Sequence, residues 1–134
     1  MKIFDCTTFH SEHLMMDLRF NILNDYVEKF IVCESTISHS GKRKKLNFDI
    51  NNYPKFKDKI SYIVIDEEPK DIIGLKNGLA KPHEKRSDSL KRINLSYDYM
   101  IRAISGASDN DLIILSDNDE IPNLNSKQFK NSNK

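Results

Sequence analysis

The sequence predicts an α/β fold with a mostly parallel sheet flanked by helices, and three observations carry that prediction. Short runs rich in isoleucine, valine and phenylalanine alternate with longer stretches, two of which place apolar residues at helical spacing. Phe30-Ile31-Val32-Cys33 is continuously apolar, the pattern of a strand covered on both faces. Three runs end in polar groups: Glu34-Ser35, Asp66-Glu67-Glu68 and Asp117-Asn118-Asp119-Glu120. In a parallel sheet these ends share one edge, the edge beyond which open α/β sheets bind ligands.

The elements follow in order. Residues 2–9 are short, aromatic and β-branched, and read as a strand. Ser11 offers an N-cap, and Leu14, Met15, Leu18, Ile22 and Leu23 form a helical stripe to about Asn24. A second strand covers 29–34. Ser40-Gly41 marks a turn, Lys42-Arg43-Lys44-Lys45 is a basic run, and a third strand covers 60–66. Lys70 to His83, with Gly74, Gly78 and Pro82, has no clear period and reads as loop with at most one helical turn. Ser87 can cap a long helix whose stripe is Leu90, Ile93, Tyr97, Met100, Ile101 and Ile104, with Gly106 as its stop. A fourth strand covers 111–116. Residues 1–122 therefore form one unit, and the polar tail 123–134 is expected to fray.

Composition bounds the function. The 134 residues suffice for one domain with a real core, and the 7 Phe and 5 Tyr exclude wholesale disorder. Lys and Arg number 21 against 20 Asp and Glu, a net charge of +1, without the positive excess that a nucleic-acid partner requires. The longest apolar stretches, Ile63-Val64-Ile65 and Leu112 to Leu115, fall far short of the ~20 residues of a membrane span. Asp5 interrupts the N-terminus too early for a signal peptide. Cys6 and Cys33 lie in apolar runs and read as buried thiols, giving a reducing compartment. The expected location is cytoplasmic, with or without peripheral contact to a membrane.

The sharpest chemical feature is Ser116-Asp117-Asn118-Asp119-Glu120 after an apolar strand. Two carboxylates two residues apart, where a strand breaks into a turn, can be aimed at one point. Hard cations such as Mg²⁺ or Mn²⁺ take oxygen ligands and share them with substrate phosphates. Asp-x-Asp also occurs in ordinary solvated turns. A helix–loop–helix calcium site does not fit, because from Asp117 the sixth residue is Pro122 and the twelfth Gln128, where Gly and Glu are required. His10, His13, His39 and His83 lack the paired spacing of a zinc site, and there is no nucleophile elbow or phosphate-binding glycine loop. Arg92, one residue from Ile93, could reach a phosphate or an acid such as Glu34, or simply pair with a neighbouring carboxylate.

The order of segments resembles a known family. The segments are Lys2-Ile3-Phe4-Asp5-Cys6, Leu18-Arg19-Phe20-Asn21-Ile22-Leu23, Val27 to Ser35, His39-Ser40-Gly41-Lys42, Lys59 to Asp66, Lys91-Arg92-Ile93-Asn94, and Asp111 to Pro122. Together they resemble glycosyltransferase family 17, from residue 2 to about 123. A valine/isoleucine strand ending Glu-Ser, then Ser-Gly-Lys, then Ser-Asp-x-Asp-Glu-Ile-Pro carries the likeness.

The resemblance implies a GT-A-like, Rossmann-like fold that breaks off after the Asp-x-Asp motif. It also implies transfer of a sugar, N-acetylglucosamine in the first place, from a UDP-sugar donor to a glycan or glycoprotein acceptor. Carried over, Asp117 and Asp119 hold Mn²⁺ or Mg²⁺, while Glu34, Arg92 and Asp117 are donor-pocket residues. The acceptor site and catalytic base are expected in a further half of the protein, so no catalytic residue is named and transfer by this chain alone is not expected. Two alternatives compete: a nucleotide-sugar-binding remnant without turnover, and a receiver-like Mg²⁺-binding signalling domain. The latter would need a late-strand lysine and a fifth βα unit.

Overall fold

A computed structural model describes residues 1–74, 81–126 and 129. Its principal elements are β1 (Ile3–Thr8), α1 (His13–Leu23), β2 (Lys29–Ser35), β3 (Ile60–Ile65), α2 (Pro82–Ala103) and β4 (Leu112–Ser116), with 3₁₀ turns at Ile50–Asn52 and Lys57–Lys59. The four strands form one sheet in the order β3-β2-β1-β4, and every pairing is parallel. The chain steps outward from β1 to β3, then returns through α2 to the far side of β1. Strand order therefore reverses between β1 and β4, and at such a switch point the loops diverge and leave a crevice.

Each sheet face has its own core. Ile3, Phe30, Val32 and Ile60 face α1 and the 48–56 segment, where Phe20, Phe48, Tyr53 and Phe56 pack together. Phe4, Cys6, Ile31, Cys33 and Ile65 face α2 and meet Met100. β1 and β2 are covered on both sides, which is why they tolerate almost no exposed position. Cys6 and Cys33 are buried free thiols, and burial pushes both up to about 12. β4 lies at the edge, and Ile113 and Leu115 remain exposed. Among the described residues no helix is long and apolar enough to cross a membrane.

The strands fall where the sequence puts them; the helix faces and caps do not. In α1 the buried residues are Met16, Arg19, Phe20 and Leu23, whereas Leu14, Leu18 and Ile22 of the expected stripe are exposed. Phe20 decides the rotation. Its ring lies 4.8 Å from Phe30, 5.0 Å from Tyr53 and 5.5 Å from Phe56, and aromatic burial outweighs three aliphatic contacts. Ser11 does not cap the helix. Glu12 occupies that position, and its carboxylate accepts from the amides of His10 and Ser11 at 2.9 and 3.0 Å.

α2 begins at Pro82 rather than at Ser87. Proline suits a first turn, and the Lys81 amide donates to Glu84 at 2.6 Å. The buried positions are Asp88, Ser96 and Met100, while Leu90 and Ile101 are exposed. The polar ones are tolerated because each is satisfied: Asp88 accepts from the amides of Ile73 and Gly74, both at 2.9 Å, and Ser96 donates to the Arg92 carbonyl at 3.1 Å. The helix ends at Ala103, and Gly106 follows with φ +76°. Residues 75–80 of the expected loop lie outside the described residues. So does most of the expected tail, although Leu124 is buried in the core and Phe129 packs against it.

Candidate functional site at the strand ends

A cleft of about 360 Å³ opens beyond the carboxyl ends of β1, β2 and β4. Phe9, His10 and Glu12 line it after β1, residues 37–40 and Lys44 after β2, Ser96 from α2, and Asn118 after β4. Asp117 and Asp119 flank Asn118, and both are exposed. Their turn is closed by the Glu120 amide donating to the Asp117 carbonyl at 3.1 Å.

The turn is pinned at two points. Asn118 Nδ2 donates to Glu12 Oε1 at 2.8 Å. Arg19 Nη1 donates to the Glu120 carbonyl, while Nε and Nη2 of the same guanidinium grip Asp5 at 2.7 and 2.6 Å. Arg19 and Asp5 are both fully buried, so this is a two-pronged ion pair in a low-dielectric interior, spanning α1, β1 and the loop after β4. Burial pushes the Glu12 carboxyl up, and the amides of His10 and Ser11 more than offset it, so Glu12 stays below its ordinary range. Tyr97 approaches from α2, its hydroxyl donating to Asp117 Oδ1 at 3.5 Å.

Glu34 sits at the end of β2 with its side chain buried and all its acceptor capacity used. Lys44 Nζ and the Asn47 amide donate at 2.7 Å, the Tyr62 hydroxyl at 2.8 Å and the Phe48 amide at 3.0 Å. Burial opposes ionisation, but these four donors outweigh it and hold the carboxyl below its usual value; burial and Glu34 together push the Tyr62 phenol up. Glu34 thus ties residues 44–48 to the sheet. Arg92 and Glu34 do not meet. The Arg92 guanidinium grips Glu68 at 2.9 and 3.0 Å and donates to the His39 carbonyl at 3.0 Å. A Cβ at Gly41 would lie 2.9 Å from Arg92 Nη2, and Gly41 has φ +88°, so only glycine fits the turn at 38–42.

Two histidines that lack zinc spacing in the sequence, His10 and His39, complete the cleft. His39 is exposed at the cleft mouth; partial desolvation and the nearby His10 lower its pKa below the ordinary value, so it is neutral at physiological pH. The sequence reading did not single out Asp5, Arg19 or Glu12. The signal was present in one case: Asp5 interrupts an otherwise apolar strand at a buried position, where a charge needs a partner. Among the described residues no three His, Cys, Asp or Glu side chains converge as a complete metal cage.

An all-parallel sheet flanked by helices, with a polar cleft at its switch point and a pinned carboxylate turn beside it, defines an α/β fold consistent with a Rossmann-like GT-A architecture. The chain belongs to glycosyltransferase family 17, which it matches over residues 1–131. It is 26% identical over 125 residues to the rat beta-1,4-mannosyl-glycoprotein 4-beta-N-acetylglucosaminyltransferase, covering 90% of this chain and 22% of the rat protein. The human and mouse enzymes of the same name match with the same identity and coverage. The chain therefore spans about a fifth of the length of these relatives. No solved structure gives a significant match.

Proposed function

We propose that this chain is the donor-binding part of a metal-dependent glycosyltransferase, holding a UDP-linked sugar for transfer to a glycan or glycoprotein acceptor. The sugar proposed first is N-acetylglucosamine, the group in the name of the related rat, human and mouse enzymes. The observation that carries the reading is the turn 117–120, anchored by Glu12 and Arg19 beside a polar cleft at the switch point.

Asp117 and Asp119 are the residues that would hold Mn²⁺ or Mg²⁺. The donor set fits: two exposed carboxylates offer hard oxygen ligands and leave most of an octahedral shell to water and phosphate oxygens. Such a cation, when bound, neutralises charge on a departing diphosphate. The chain's own part is preorganisation. Arg19 and Glu12 fix the turn, so the carboxylates need not be ordered when the ligand arrives. Arg92 and Gly41 hold one cleft wall, residues 37–41, against α2, and Glu34 holds the 44–48 segment that brings Lys44 to the cleft. Neutral His39, with His10, offers ring nitrogens for hydrogen bonds inside it.

Calorimetry of UDP binding, with and without Mn²⁺, on the wild type and Asp119→Asn tests this. Binding should be tightest for wild type with Mn²⁺, and the Mn²⁺ enhancement should vanish in the variant. Equal affinity in all four conditions contradicts the proposal. One observation favours a second reading, donor binding without turnover by this chain. Among the described cleft residues the lining carboxylate is Glu12, and three donors already occupy it. Acceptor-dependent UDP release by the isolated chain, abolished by Asp119→Asn, would rule that second reading out.

A further inference from the structure

A second cleft lies behind the turn at 38–42, and its net charge is positive. It measures about 510 Å³ and is bounded by Lys42 on that turn, by the segment after β3 and by the first three turns of α2. Lys85 and Arg86 reach it from α2, and with Lys42 they have no acidic partner among the described residues. Arg92 forms the wall between this cleft and the donor cleft.

The two carboxylates in the lining are committed elsewhere: Glu68 to Arg92, and Asp88 to the amides of Ile73 and Gly74. Arg92 and Glu68 cancel each other, so Lys42, Lys85 and Arg86 stand against the single charge of Asp88, which leaves the lining net positive in a chain whose total is only +1. Concave walls focus such a field, and an anion entering them meets Lys42, Lys85 and Arg86, which have no acidic partner among the described residues.

We propose that this second cleft binds a phosphorylated sugar. The charge calls for a dianion, and the volume lies in the range of small-molecule pockets, larger than a bare phosphate needs. The remaining lining suits a polyol: the Ser40 and Ser89 hydroxyl oxygens, which can still accept while bonded to Ser38 and to the His39 carbonyl, glycine backbone at 41 and 74, and one apolar side chain, Ile72. Lys85 and Arg86 recognise the phosphate; the hydroxyls and the backbone meet the ring. The site adjoins the donor cleft, with Ser40 lining both and Arg92 on the wall between them, and does not depend on UDP binding.

The test is titration of the intact chain, without divalent metal, with glucose 6-phosphate, inorganic phosphate and glucose. Wild type, Lys85→Gln/Arg86→Gln and Asp119→Asn are compared. Neither Lys85 nor Arg86 makes a side-chain bond to the rest of the described protein, so the double variant should keep the wild-type melting temperature. Glucose 6-phosphate should bind more tightly than phosphate, glucose should not register, and the double variant should weaken sugar-phosphate binding by about tenfold or more. Asp119→Asn should leave that binding unchanged. The proposal is overturned if glucose 6-phosphate does not bind, binds no better than phosphate, is indifferent to the double variant, or is weakened by Asp119→Asn.

Discussion

Glu34 illustrates how a residue's identity can be legible while its role is not. A carboxylate at the end of an apolar strand reads as a ligand-binding group, and nothing local reveals that Lys44, Asn47, Phe48 and Tyr62 already surround it. Glu34→Gln should cost about 1–3 kcal/mol in denaturant unfolding, because the buried donors lose their charged acceptor. The pH dependence has a defined sign. The folded state holds the Glu34 carboxyl below its ordinary value of 4.5, so its contribution is complete above that pH and is lost as pH falls through the lowered value. His39, also lowered, adds a smaller loss that begins as pH falls below its ordinary value of 6.5. Unfolding midpoints measured from pH 8 to pH 3 should fall in both ranges, and Glu34→Gln should reduce the more acidic fall, to which the lowered carboxyls of Glu12, Asp66, Asp88 and Asp111 also contribute. Gly41→Ala should cost about 1–3 kcal/mol, since alanine both disfavours φ +88° and strikes the Arg92 guanidinium.

Among the elements, α1 departs furthest from its sequence pattern. Leu14, Leu18 and Ile22 form a regular apolar row, yet the helix turns Phe20 and Arg19 inward because an aromatic cluster and a buried aspartate wait there. Periodicity weighs residues on one helix and cannot include partners that only the fold supplies. The consequence is measurable: Leu18→Lys should change stability by less than about 0.5 kcal/mol, and Phe20→Ala should cost about 3–5 kcal/mol. Arg19→Met should cost about 3–5 kcal/mol by leaving Asp5 buried and unpaired. Asp5→Leu with Arg19→Met should restore most of that stability but not metal-dependent UDP affinity, because the Glu120 carbonyl has lost its anchor. Separate denaturation and calorimetry of this double variant distinguish a packing role from a positioning one.

At the scale of the whole molecule, the alternation of apolar runs was enough to predict the parallel sheet, and the polar strand ends were enough to predict the edge at which the cleft opens. The order β3-β2-β1-β4 was not readable, since it depends on which strands pair, and with it the location of the cleft between the ends of β1 and β4. The Asp-x-Asp turn could be found in the sequence, whereas its anchors lie more than a hundred residues away at Glu12 and Arg19, beyond any local pattern. The central claim is that this turn and this cleft jointly hold a cation and a nucleotide diphosphate. Amide NMR with sub-stoichiometric Mn²⁺ and excess UDP tests it most directly. Paramagnetic broadening should centre on residues 117–120 and extend to 8–10 and 37–40, and should fall sharply without UDP or in Asp119→Asn. Broadening centred elsewhere, or of equal strength in the presence and absence of UDP, would contradict the account.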